Sequence, residues 1–337
     1  MKTISWFCLK YLLTGIMSLT SISITAQYED KNNQDQDHFD IRWVSQYPAK
    51  RDTKTRRNEN WFTDLFFGKK PDDLVKPMSV VAMNPDSYWV ADQGNGSILQ
   101  VRDQQGKICK FANRGIDNIP SIVGSCFSQD HKILFTDSRL NQVFIYDPLT
   151  QNLEVLIDSI YLVQPTGIAY SLINQQIWVV ETGAHRISVF DSKVELIKRI
   201  GGRGNIPGMF NFPTYLWIDV QGIVYVVDAM NFRIQMLDRN GEFISAFGEP
   251  GDSSGFFSRP KGIATDSFGH IYLADALFNV VQVFDRSGEL LSIFGSQGQA
   301  EEQFWMPTGI YIDAENFIYI ADSYNSRVQV FQLSSEN

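Results

Sequence analysis

"YIADSYNSRVQVFQL", Tyr319–Leu333, reads as two β-strands around a tight turn. The same phrase recurs upstream as "YLADALFNVVQVFD" from Tyr272, "YVVDAMNFRIQMLD" from Tyr225 and "WVVETGAHRISVFD" from Trp178. Weaker copies are "LFTDSRLNQVFIYD" from Leu134 and "WVADQGNGSILQVR" from Trp89. The acidic residue that closes the first strand of each copy is Asp92, Asp137, Glu181, Asp228, Asp275 or Asp322, at gaps of 45, 44, 47, 47 and 47 residues. A fixed period of that length marks a repeat architecture.

The repeat from Pro260 divides into four strands, "PKGIATD", "HIYLAD", "VVQVFD" and "ELLSIFG", separated by "SFG", "ALFN" and "RSG". Short β-branched and aromatic runs between Gly, Asp and Asn clusters are antiparallel hairpin signals. The turns "DVQG" at Asp219, "DSFG" at Asp266, "DRNG" at Asp238, "DRSG" at Asp285 and "DQQG" at Asp103 follow one chemistry. Asp accepts backbone N–H bonds at the start of such turns, and Gly takes the positive φ near their end. First strands begin near Pro77, Pro120, Pro165, Pro213, Pro260 and Pro307. Six four-stranded antiparallel units of this size predict an all-β, six-bladed β-propeller.

The sixth unit has three strands after Pro307 and lacks a fourth. An uncovered strand edge is an aggregation template, so a ring of blades must cover it. "IRWVSQY" from Ile41 has strand character and no blade of its own, and is predicted to close the ring. The rival, "WFTDLFFG" from Trp61, puts Trp61, Phe62, Leu65 and Phe66 on one helical face before Gly68, so residues 59–67 are expected to form a short helix.

With 44% apolar, 13% aromatic and 20% charged residues, the 337-residue chain has the composition of a folded domain. Residues 1–26 read as a secretory signal peptide: Lys2 and Lys10 flank a polar start, "LLTGIMSLTSISI" from Leu12 is apolar, and "ITA" precedes Gln27. The apolar run is too short to span a bilayer, which takes roughly 20 helical residues; retention of the segment as an anchor is the alternative. A polar flexible segment is expected over residues 27–40. Loss of two lysines with the signal moves the formal net charge from −9 to −11. A chain this acidic has no general affinity for phosphate backbones, so no nucleic-acid partner is expected. The expected location is secreted or periplasmic, with no membrane span after cleavage, as a monomer.

Before Pro213, Pro260 and Pro307 the linkers are regular: Gly201, Gly248 and Gly295 lie 12 residues upstream, Gly204, Gly251 and Gly298 nine, and Phe210, Phe257 and Phe304 three. Together with Asp-x-x-Asn-x-Arg in Asp228–Arg233 and Asp322–Arg327, this pattern resembles the NHL repeat. The resemblance covers roughly residues 70–333 and is specific in the C-terminal half; the first two blades lack the linker motif and the Arg. The signal peptide, early strand and amphipathic insert look like exported bacterial NHL proteins of poorly known role. It implies a fold more than a function.

In a propeller the turns from second to third strand share a face with the inter-blade linkers. The turns from first to second strand lie on the opposite face. The acidic ring, His185 and the Gly-rich linkers therefore belong to one face, while His131 and His270 belong to the other. The NHL-like amidating lyases that this resemblance brings in are zinc enzymes, and His185 falls where one of their ligands would; the other ligands have no counterpart here. Four histidines split between the tail and two faces cannot supply a three-ligand zinc site. An oxygen-only calcium site in the channel remains open; otherwise no cofactor is expected.

The structural role expected for the ring acids is to accept N–H bonds from the turn and to pair with an Arg five residues on. Ser97, Gln142 and Val280 stand where that Arg would be, so Asp92, Asp137 and Asp275 are candidate ligand-facing members. His185 joins them. Tyr215 and Trp305 break their repeat positions, Tyr215 standing where Gly167, Gly262 and Gly309 stand elsewhere, and are candidates for stacking on sugar or peptide. "KRDTKTRRNEN" from Lys50 reads as a solvated basic loop or a docking site for an acidic surface. Cys109, on an outermost strand, and Cys126, on an innermost one, are too far apart for a disulfide.

The resulting reading is an exported, non-catalytic propeller that binds a protein or polysaccharide partner through the linker face. The alternative is a divalent-metal-dependent lyase or hydrolase with its site in the channel.

Overall fold

The computed structural model describes residues 39–49, 73–109 and 119–335. The expected signal peptide, most of the expected polar segment, the expected helix over 59–67 and the basic stretch from Lys50 lie outside these residues. Among the described residues no helix is long and apolar enough to cross a membrane.

Six four-stranded antiparallel sheets make up the fold. Blade one consists of Pro77–Asn84, Ser87–Asp92, Ser97–Arg102 and Gln105–Ile108, and the other blades follow in chain order. In each, the first strand is innermost and the sheet order is sequential. Blade six is the exception that the sequence leads one to expect. Its sheet runs from Pro307–Ile312 through Phe317–Asp322 and Arg327–Ser335 to Phe39–Tyr47, so the earliest described strand covers the last edge and closes the ring. Eight residues of that strand pair with the last strand, from Phe39 opposite Ser335 to Tyr47 opposite Val328, with a bulge at Val44.

The strands' alternation packs one sheet face on the next. Val80, Val90 and Leu99 of blade one meet Tyr319, Val328 and Val330 of blade six; Tyr272, Val281 and Val283 of blade five meet Ile310, Ile318 and Ile320 of blade six. Phe210, Phe257 and Phe304 are wholly buried between consecutive blades. Each such ring contributes about 1.5–3 kcal/mol through burial.

The Gly–Phe spacing of the linkers has a steric cause. Gly201, Gly248 and Gly295 take φ of +89°, +103° and +92°, and a Cβ on them would lie 2.4, 2.2 and 2.4 Å from the rings of Phe210, Phe257 and Phe304. A residue with both a left-handed backbone and a ring against its α-carbon must be glycine.

At the hub the first strands crowd together. A Cβ on Gly167 would come within 2.8 Å of Tyr215 Cα, and one on Gly309 within 2.5 Å of Met78 O. The repeat therefore favours a residue without a side chain there, and Tyr215 is a real departure from it.

Candidate functional site

The ring acids are braces. Glu181, Asp228 and Asp322 are fully buried and pair with the Arg five residues on, at 2.8 Å to Arg186, 2.8 Å to Arg233 and 2.7 Å to Arg327. Burial nonetheless raises the Asp322 pKa, against the opposing pull of its hydrogen bonds and of Arg327. The guanidinium groups reach further and clamp the linkers. Arg233 donates to the carbonyls of Asn205, Ile206 and Met209, and Arg327 to those of Gln299, Ala300 and Gln303.

Asp92, Asp137 and Asp275, which lack that Arg, are equally buried. Backbone donors take the place of the cation. Asp92 accepts from the N–H groups of Val75, Lys76, Gly94 and Asn95 and from the Asn95 side chain. Asp137 accepts from Ser121, Arg139 and Leu140; Asp275 accepts from Ser258, Arg259, Leu277 and Phe278. These buried carboxylates accept hydrogen bonds from the linker and the turn.

His185 has a comparable task. It follows a one-turn 3-10 segment, Thr182–Ala184, in a left-handed conformation (φ 56°). Its Nδ1 accepts the N–H of Phe212 at 3.0 Å, and its ring packs on Phe212 at 4.3 Å. Asn141 and Asn279 do the same with side-chain oxygens, accepting from Gln164 and Met306 of the next blade. His185 therefore stitches blade three to blade four. Burial first, then the nearby Arg203 charge, lower its pKa, with Asp228 opposing.

Tyr215 crosses the hub. Its hydroxyl donates to Met78 O at 3.3 Å, joining blade four to blade one, which stands opposite it in the ring. The side chain is buried, which raises the phenol pKa. With inner-strand residues it lines a cavity of about 430 Å³ that reaches the first-to-second turns, at Ser128, Gln129 and His131 of blade two, Leu172 of blade three and Ala314 of blade six. That volume lies within the range of small-molecule sites.

Aromatic rings line this cavity. Phe127, Tyr170, Trp217 and Tyr311 stand around it above Tyr215. Tyr311 meets Trp217 edge-on at 5.6 Å and Phe127 at 6.4 Å, and Phe127 meets His131 at 6.1 Å. Trp217 Nε1 donates to Thr265 Oγ1 at 2.9 Å, which fixes the indole. Tyr311 and Cys126 are pushed up in pKa by burial, Tyr311 also by Asp313, so both stay neutral near pH 7. Cys126 and Cys109 are both free thiols.

Of the candidate ligand residues put forward from the sequence, the cavity includes Tyr215 alone; His131 and Cys126 also line it. Trp305 lies on the opposite, linker face, 41% exposed, paired with Tyr324 at 5.9 Å. Phe127, Trp217 and Tyr311 read as core aromatics because they come from three different first strands. A second feature passed unnoticed, the Gln at the third position of third strands. Gln235, Gln282 and Gln329 are fully buried, and each accepts a linker N–H and donates to a linker carbonyl. The signal was present as "IQM", "VQV" and "VQV" in register. Among the described residues no three of His, Cys, Asp and Glu converge as a metal site.

The NHL repeat family model matches residues 304–331. No curated protein sequence matches the chain significantly. Solved structures do match. One is a Bacteroides thetaiotaomicron protein of unknown function, at 16% identity and TM-score 0.61, over 78% of this chain and 70% of that one. An auxiliary nutrient binding protein from the same organism matches at 12% identity and TM-score 0.61, over 78% and 70%. Virginiamycin B lyase from Staphylococcus aureus matches at 13% identity and TM-score 0.55, over 88% and 100%. At these identities the likeness is one of fold. The chain is a six-bladed β-propeller that carries an NHL repeat in its last blade.

Proposed function

We propose that the protein is an exported binding propeller that holds a saccharide in the hub cavity, from the face of the first-to-second turns. The observation that carries this reading is the hub cavity itself, lined by Tyr215, Phe127, Tyr170, Trp217 and Tyr311. Aromatic faces stack on the C–H faces of sugar rings, and fixed rings do so at little entropic cost. Gln129 and His131 at the mouth supply polar contacts. The nutrient binding neighbour shares this fold and supports a binding role, while the apolar signal segment supports export. The site lies on the face opposite the one the sequence puts forward, because the ring acids are spent on the linkers.

The test is calorimetric titration of the purified protein with neutral oligosaccharides, beginning with maltotriose and cellotriose, and comparison with Phe127→Ala. Binding that falls at least roughly fivefold in the variant, at the scale of one aromatic contact, supports the reading. Absence of binding across a neutral glycan panel, or equal affinity in a folded Phe127→Ala protein, refutes it. The divalent-metal lyase or hydrolase reading stands as the alternative, and a stoichiometric ion retained through purification would favour it.

A further inference from the structure

The opposite mouth of the channel has a different character. In blade one the N–H groups of Val75 and Lys76 rest on Asp92, in blade five those of Ser258 and Arg259 rest on Asp275, and in blade six that of Trp305 rests on Asp322. Turns of one blade fasten the linker of the next. Met306 N–H donates to Asn279 Oδ1, and Ser326 Oγ donates to Val75 O, both at 2.8 Å. Arg259, Trp305 and Lys76 are thereby set in order along one arc of the rim, over blades five, six and one.

Lys261 lies just inside this arc, at a position where blades three, four and six carry Thr166, Thr214 and Thr308. Thr166 and Thr308 spend their hydroxyls on the neighbouring inner strand and on the turn. Lys261 has no such outlet: among the described residues it has no hydrogen bond and no ion pair. Burial, then the charges of Arg259 and Lys76, lower its pKa to about 8. Lys76 Nζ donates to Gln93 Oε1, a neutral group, at 2.8 Å. Among the described residues no carboxylate forms an ion pair with Lys76, Arg259 or Lys261. A net-acidic protein thus sets along one arc of its surface three cations that, among the described residues, have no ion-paired carboxylate.

The same rim carries two exposed rings. Trp305 and Tyr324 are 41% and 57% exposed, with centroids 5.9 Å apart and planes at 40°. Tyr324 N–H donates to Trp305 O at 3.1 Å, which holds the pair on the rim. Exposed rings of this size next to unneutralised cations match a ligand that offers a ring face and a negative charge together. We propose that this arc binds an acidic saccharide, with a uronate ring on Trp305 and Tyr324 and its carboxylate between Lys76, Arg259 and Lys261. Its residues are distinct from those of the hub cavity.

Titration of the full chain with trigalacturonate, maltotriose and inorganic sulfate tests this, at low and at high salt. Trigalacturonate is expected to bind, and to bind more weakly at high salt through screening. Lys261→Thr, which installs the residue of the sister blades, is expected to weaken it at least roughly tenfold by removing the most buried cation. Trp305→Ala should weaken it by roughly fivefold, and Phe127→Ala should leave it unchanged. Three results would overturn the proposal: no trigalacturonate binding at low salt, wild-type affinity in a Lys261→Thr protein with a normal melting curve, or sulfate binding as tightly with Trp305→Ala silent. Maltotriose and Phe127→Ala report on the hub cavity alone, so failure of one site is distinguishable from failure of the other.

Discussion

His185 shows how a residue that looks chemical can be structural. It holds a left-handed backbone position that Asn fills in blades two and five, and gives the next blade's N–H an acceptor. His185→Asn is therefore expected to leave stability nearly unchanged. His185→Ala leaves the Phe212 N–H without its partner and should cost about 1–3 kcal/mol by urea denaturation. The lowered pKa adds a pH signature. Between the folded and unfolded values the unfolded chain binds more protons, so stability rises with pH across that window. It is full above about pH 6.5, the ordinary imidazole value, and declines as pH falls through the folded one. The Asn variant should lose that part of the decline. The Arg pairs were legible in the sequence because donor and acceptor stand five residues apart on adjacent strands. The state of Asp92 was not. Its donors, Val75 and Lys76, belong to a linker 16 and 17 residues away, and no local spacing announces a backbone N–H.

At the scale of the element, the strand Phe39–Tyr47 decides whether six sheets make a ring. Its place could be read from composition alone, since a blade missing its outer strand and an orphan strand of the right character imply each other. It does more than cover an edge. Trp43 Nε1 donates to Gln329 Oε1, and Gln46 Oε1 accepts from Arg327, so the strand joins the network that holds the last linker. Tyr47 is buried against blade one, beside Val101 and Leu99. Deleting residues 27–47 should lower the melting temperature sharply and broaden the transition, because blade six then loses its edge and blade one a packing partner. An unchanged melting curve by circular dichroism would show that the ring does not depend on this strand. Charge at Trp43 or Gln46 should act in the same direction, more weakly.

Over the whole molecule, the two ends of the hub differ in chemistry. One is a cavity of fixed aromatic rings among the first-to-second turns; the other is a rim of cations and exposed rings among the linkers. The periodic residues made the fold and its two faces legible. The hub cavity was hidden because its walls are contributed one residue at a time by strands 40 or more positions apart, and because an aromatic on an inner strand is indistinguishable in sequence from core. Tyr215 stood out only as an exception to a glycine position. Hydrogen–deuterium exchange of the protein saturated with a bound neutral oligosaccharide decides whether the hub cavity is the ligand site. Slowed exchange is expected at residues 125–131, 169–172 and 311–317, with the turns at 182–185 and 323–326 unchanged. Protection confined to those second-to-third turns would contradict a site in the hub cavity.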